Sequence, residues 1–126
     1  MNKQKTIAFD LDDVLCERDT KYESLGASKY HHCVPKTEYI NMANSLYDAG
    51  YKIIVYTARG MTHFAGDVKA IEENLRGTTE RQLKDWGVKY HELVFGKKHY
   101  ELLIDDKALN SVGLTLDHIK GFLKAW

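Results

Sequence analysis

The run Lys52-Ile53-Ile54-Val55-Tyr56-Thr57 constrains this chain most. It is β-branched, almost unbroken in its apolar character, and ends on a polar residue. A strand that is apolar on both sides belongs in the middle of a sheet covered on both faces, which is the signature of a parallel sheet. A shorter apolar run, Thr6-Ile7-Ala8-Phe9, ends in Asp10, Asp12 and Asp13 and predicts a second buried strand. Leu93-Val94-Phe95 predicts a third, and residues 100–104, ending at Asp105 and Asp106, a fourth.

Helices fill the gaps between these strands. Pro35 suits a first helical position and Gly50 a C-terminal cap, and between them Tyr39, Ile40, Ala43, Leu46 and Tyr47 recur at helical spacing. Residues 64–75 predict a helix that breaks near Gly77. Thr79 with Gln82 three residues on predicts a capping box for another, closed by Gly87 after Trp86. Thr115 is expected to cap a last helix carrying Leu116, Ile119, Phe122 and Leu123 on one face, with Trp126 in C-terminal packing. Residues 16–34 have no period and predict a loop or flap. The alternation describes an α/β fold, a Rossmann-like three-layer sandwich with a mainly parallel sheet, in one domain over residues 1–126.

Composition narrows the function classes. Eighteen basic and eighteen acidic residues cancel, so bulk charge recruits neither nucleic acid nor an anionic membrane. Two cysteines are too few for a disulfide framework. Residues 1–6 are polar and lead straight into a short apolar run, so no leader is expected, and no stretch reaches the roughly twenty apolar residues of a membrane helix. The expectation is a cytoplasmic protein. His31-His32-Cys33 with Cys16 matches no common zinc spacing, because adjacent histidines on a strand point apart. His31 or His32 is expected instead as a flap residue over the site.

In parallel sheets ligands bind beyond the carboxyl ends of the strands, where Asp10, Asp12, Asp13, Thr57, Asp105 and Asp106 fall. Two like charges about 4 Å apart repel by roughly 4 kcal/mol at an effective dielectric of 20. Such a cluster therefore calls for a cation, and oxygen donors favour Mg2+. With Thr57, Arg59 and Lys97 or Lys98 nearby, the set suits phosphoryl transfer. Arg59 suits either a substrate phosphate or a surface ion pair.

Phe9-Asp10-Leu11-Asp12-Asp13-Val14-Leu15 resembles the first motif of the haloacid dehalogenase superfamily, an apolar strand followed by D-x-D. Ile54-Val55-Tyr56-Thr57-Ala58-Arg59-Gly60 resembles the second, and Gly96-Lys97-Lys98 with Leu103-Ile104-Asp105-Asp106 the third and fourth. The order matches over essentially the whole chain. More narrowly, TARGM, TTxxQLxxWGVxYxEL and GK followed by IDDKA are similar to small phosphatase-like proteins associated with capsular polysaccharide synthesis.

The resemblance implies a capless or minimally capped fold and a phosphatase that cleaves a small phosphorylated substrate, a sugar phosphate or a nucleotide. Asp10 would be the nucleophile and a magnesium ligand. Asp12 would be general acid and base, its backbone carbonyl on the metal. Thr57, with the N–H groups of Leu11 and Ala58, would hold the phosphoryl oxygens. Lys97 would neutralise charge, Asp106 would anchor the metal, and Asp105 would be a second anchor. Asp13-Val14 stands where many members carry Gly-Thr. Lys98 stands where close relatives show proline, and Lys97 is favoured over it because it follows Gly96. With no cap, either the substrate is large or a neighbour in a homo-oligomer supplies the lid. A non-catalytic binding or scaffold protein on the same fold is the alternative. A receiver-like phosphoacceptor domain fits less well, since Thr57 occupies the strand end where its lone aspartate should stand.

Overall fold

The computed structural model describes residues 4–124. Its centre is a parallel sheet of β1 (Thr6–Asp10), β4 (Lys52–Thr57) and β5 (Glu92–Phe95), in the order β1-β4-β5. Between β1 and β4 come β2 (Cys16–Glu17), a stretch of 3₁₀ helix (Thr20–His32) kinked at Gly26, β3 (Val34–Pro35) and helix α1 (Thr37–Asp48). Strands β2 and β3 form a small antiparallel pair. Helix α2 (Val68–Asp85) links β4 to β5, and α3 (Leu116–Lys124) follows a long irregular stretch. The result is a small Rossmann-like α/β sandwich, as the strand and helix pattern leads one to expect.

Register sets the faces. Phe9 lies beside Val55, Val55 beside Leu93, and Thr57 beside Phe95. With Ile53, these side chains are buried and meet Ile40, Ala43 and Leu46 of α1 and Ile71, Leu75 and Leu83 of α2 in one core. Alternate residues point the other way, and there Tyr56 and Val94 remain exposed. The sheet is thus covered fully on one face and only in part on the other. A hollow of about 1240 Å³ runs along β1 toward Ile119 and Phe122 of α3.

Four expectations need correction. Residues 100–104 form no strand, and among the described residues β1 pairs with β4 alone. Leu102, Leu103 and Ile104 stand exposed instead. The segment is folded on itself by short side-chain turns: the Lys107 N–H donates to Asp105 Oδ1 and the Val112 N–H to Asn110 Oδ1. Such local bonds compete directly with a sheet ladder.

Second, the helix does not break at Gly77. Helix α2 runs through it, because Ile71, Leu75, Thr79 and Leu83 bury one continuous face. That burial outweighs the ~1 kcal/mol a helical glycine costs. The helix also starts later than expected, at Val68, with Asp67 Oδ1 capping the Ala70 N–H. Third, residues 16–34 are not a plain loop but hold β2, the 3₁₀ stretch and the start of β3. Fourth, Pro35 lies in β3, and α1 begins two residues after it.

Other expectations agree with the structure. Gly50 and Gly87 take up positive φ where α1 and α2 end. Thr115 Oγ1 accepts the His118 N–H at the start of α3. The expected packing of Trp126 lies outside the described residues.

Candidate functional site

The carboxyl ends of β1 and β4 lie side by side and open on a cavity of about 600 Å³. Asp10 ends β1, and the chain then turns at once. The Leu11 carbonyl accepts the N–H groups of Leu15 and Cys16, and Asp13 takes up φ 70°. A left-handed turn here normally asks for glycine, but Asp and Asn tolerate it best among the other residues. Asp13 therefore fits the turn it must make.

Asp10 is bracketed by donors. Lys97 Nζ lies 3.0 Å from Asp10 Oδ2, and the Leu11 N–H donates to Asp10 Oδ1 at 2.9 Å. Lys97 reaches this place because its own N–H donates to the Thr57 carbonyl, extending the β4–β5 ladder past Gly96. Burial pulls the Lys97 ammonium down, but its hydrogen bond to Asp10 and the carboxylate's charge outweigh that, so it titrates above an ordinary lysine. Lys97 is thus the lysine on Asp10; Lys98 lines the same cavity with no such partner. Thr57 is buried, and its hydroxyl accepts the Arg59 N–H at 3.1 Å. Ala58 lines the cavity beside it. The Leu11 N–H, expected to face a phosphoryl oxygen, is occupied by Asp10 here.

Arg59 corrects the expectation of a surface ion pair: it is 1% exposed, and it lines the wall of the cavity. Its Nε and Nη2 grip the two oxygens of Asp12 at 3.0 and 3.1 Å. This two-pronged geometry gives the strongest form of an arginine–carboxylate contact. Its Nη1 donates to Thr79 Oγ1 at 3.1 Å and to Gln82 Oε1 at 2.6 Å, and the guanidinium stacks on Tyr30. Burial works against the charge, but Asp12 more than offsets it, and Arg59 is held above its ordinary value.

Thr79 and Gln82, read from their spacing as a helix cap, are therefore adjacent positions on the inner face of α2 that hold Arg59. The i,i+3 spacing carried both meanings, and only the continuity of α2 separates them. Tyr30, which the sequence suits to packing or a subunit interface, carries no motif that places it in this site. Its hydroxyl accepts the Gly60 N–H, and its carbonyl accepts from Gln82.

The flap partly performs as expected. Arg18, Ala27, Lys29 and Tyr30 line the cavity, as do Met61, Thr62 and His63 from the segment after Gly60. His31 and His32 do not; both are exposed, and His32 stacks on Tyr22.

The expected metal set is not assembled. Asp105 and Asp106 lie in the exposed stretch after β5. The Lys107 N–H, with help from Asp106, holds the Asp105 carboxyl below its usual range. Among the described residues, no trio of ligating side chains includes Asp10, Asp105 or Asp106. The trio that does gather is Asp12, Cys16 and Cys33, with ligand atoms within 4.8 Å of one another. In chemistry this group is able to hold an ion, although two of its three donors are soft sulfurs and Arg59 already supplies a positive charge there. Among the described residues, no helix is long and apolar enough to cross a membrane.

Comparison with known proteins adds the fold. No family model and no curated protein matches the chain. A crystal structure of a structural-genomics target from Vibrio cholerae is similar, with a TM-score of 0.78 and 24% identity over 97% of this chain and 98% of that one. At this identity the likeness shows that the α/β architecture is shared from end to end, and nothing more.

Proposed function

We propose that the chain is a phosphomonoester hydrolase that works through an aspartyl-phosphate at Asp10 on a small phosphorylated substrate. The observation that carries the proposal is the place of Asp10: at a strand end, on an open cavity, with an ammonium 3.0 Å away. A carboxylate beside a fixed cation and open to a pocket of this size has the equipment for attack on a phosphoryl group, where positioning and charge neutralisation dominate. Asp10 attacks phosphorus. Lys97 offsets the charge that builds on the phosphoryl oxygens. Thr57 and the Ala58 N–H, which line the same cavity, are the groups assigned to orient them.

Asp12, two residues on, serves as acid for the leaving alcohol and then as base for water. Arg59 fixes its orientation through both carboxylate oxygens. The resemblance to the haloacid dehalogenase superfamily supports these assignments, and within it the likeness to capsular polysaccharide phosphatase-like proteins favours a sugar-phosphate substrate. Mg2+ belongs to the proposal, as the charge that lets a phosphate dianion approach two carboxylates. The side chains near Asp10 do not complete its ligand set as they stand. Because residues 16–34 and the short segment after Gly60 form the rim of the cavity and no cap domain stands over it among the described residues, a second subunit is the proposed lid.

One observation favours a second reading. Among the described residues neither Asp105 nor Asp106 joins Asp10 in a trio of ligating side chains, as in a weak or inactive binding protein that keeps the fold. Phosphate release from an aryl phosphate in Mg2+ separates the two. Under the first reading turnover is measurable, and Asp10→Asn and Asp12→Ala each lower it by about a thousandfold or more. Equal rates in wild type and Asp10→Asn would reject it.

A further inference from the structure

Cys16 and Cys33 meet at Asp12. Cys16 is fully buried in β2, and Cys33 is half-buried where the 3₁₀ stretch enters β3. Their sulfurs lie within 4.8 Å of each other, and both thiols donate to the same carboxylate oxygen, Asp12 Oδ1, at 3.4 and 3.6 Å. Arg59 Nη2 donates to both, at 3.5 Å to Cys33 Sγ and 3.8 Å to Cys16 Sγ. The chain has no other cysteine.

We propose that Cys16 and Cys33 form a reversible disulfide under a peroxide, and that this bond governs the site through Asp12. The trio also has the elements of a soft-metal site, but the fully buried guanidinium on all three groups holds the position and charge a cation would need. The antiparallel pairing of β2 with β3 already brings the two sulfurs together, Cys16 lying opposite Pro35 and Cys33 two residues before it. A disulfide needs the sulfurs to close to about 2.05 Å, so bond formation draws Cys33 toward Cys16.

The reaction balances. The Cys33 sulfur gives an electron pair to one oxygen of hydrogen peroxide. The O–O bond breaks, and the other oxygen leaves as water with the thiol proton, so Cys33 becomes a sulfenic acid. The Cys16 sulfur then bonds to the Cys33 sulfur, the S–O bond breaks, and the hydroxyl leaves with the Cys16 proton as water. Two electrons have passed from the sulfurs to the peroxide, and a dithiol such as dithiothreitol returns them. Asp12 Oδ1 loses both thiol donors, and the strands beside it shift. The consequence for turnover rests on the proposed role of Asp12; bond formation itself does not.

The test uses the whole chain treated with hydrogen peroxide, followed by intact mass, thiol titration and peptide mapping. The expected result is the loss of two hydrogen masses, a fall from two titratable thiols to none, and a peptide joining Cys16 to Cys33. Dithiothreitol should reverse all three changes, and Cys33→Ser should block the bond. Oxygen atoms added to Cys33, an unchanged mass, linkage between two chains, or thiols protected by one zinc ion per chain would each overturn the proposal. In the same samples, phosphate release should fall on the order of tenfold or more and return on reduction, since displacing a reacting group by about 1 Å costs up to about a hundredfold. A disulfide that forms fully and leaves turnover untouched overturns the regulatory half. A disulfide that forms in a chain with no turnover when reduced removes the phosphatase reading and not the bond.

Discussion

Replacing Arg59 by methionine should unfold the site rather than loosen a surface contact. The side chain is fully buried and its partner Asp12 is only 15% exposed, so the variant leaves a carboxylate almost out of water with no counter-charge. Breaking a buried pair from one side costs about 3–5 kcal/mol. Thr79 Oγ1 and Gln82 Oε1 lose their donor as well, at about 1 kcal/mol or more each where water cannot enter. Against an unfolding entropy near 2.1 cal/mol/K per residue, a loss of about 4 kcal/mol lowers the thermal midpoint of a chain this long by roughly 15 °C. Circular dichroism melts at neutral pH read this directly. Asp12→Asn in the same background removes the stranded charge, so the double variant should melt no lower than Arg59→Met alone. A drop of under about 3 °C for Arg59→Met, or strict additivity of the two changes, would refute the description of Arg59 and Asp12 as a buried pair.

Two further predictions follow from single positions. Gly60 has φ +77°, and a methyl there would meet Leu75 Cδ1 at 2.8 Å, with Ile71 Cγ1 and Phe64 Cδ2 at 3.1 Å. Gly60→Ala should therefore cost about 2–4 kcal/mol, from overpacking together with the left-handed backbone, read as a lower denaturation midpoint in urea with an unchanged slope. Lys97 titrates above the ordinary 10.5 when folded, so its stabilising contribution is complete below that pH and is lost as pH climbs through the folded value. Stability curves of wild type and Lys97→Met should differ at neutral pH and converge in strongly alkaline solution; a constant gap would contradict the Asp10–Lys97 contact.

Much of this architecture is legible in the residues. Lys52-Ile53-Ile54-Val55-Tyr56-Thr57 became the central strand, and Asp10, Thr57 and Lys97 converge because strand ends in parallel sheets share one side. What the residues concealed has physical causes. Leu102-Leu103-Ile104 has strand propensity, but propensity cannot supply a paired edge, and Asp105 and Asn110 offer the backbone nearer partners. Gly77 looked like a break because its cost is local, whereas the burial that overrides it is spread over Ile71, Leu75, Thr79 and Leu83. Arg59 was ambiguous because an arginine's partners lie in the tertiary fold: Asp12 is 47 residues before it, and Gln82 is 23 after it. The meeting of Cys16 with Cys33 depends on the β2–β3 pairing, which two-residue strands scarcely announce.

In the proposed reaction Asp10 takes up the phosphoryl group. Rapid acid quench during turnover of an aryl phosphate in Mg2+, followed by mass analysis of proteolytic fragments, should find one phosphoryl group on the peptide holding Asp10 and none in Asp10→Asn. Turnover with no phosphorylated peptide, or with the label on another residue, would contradict it.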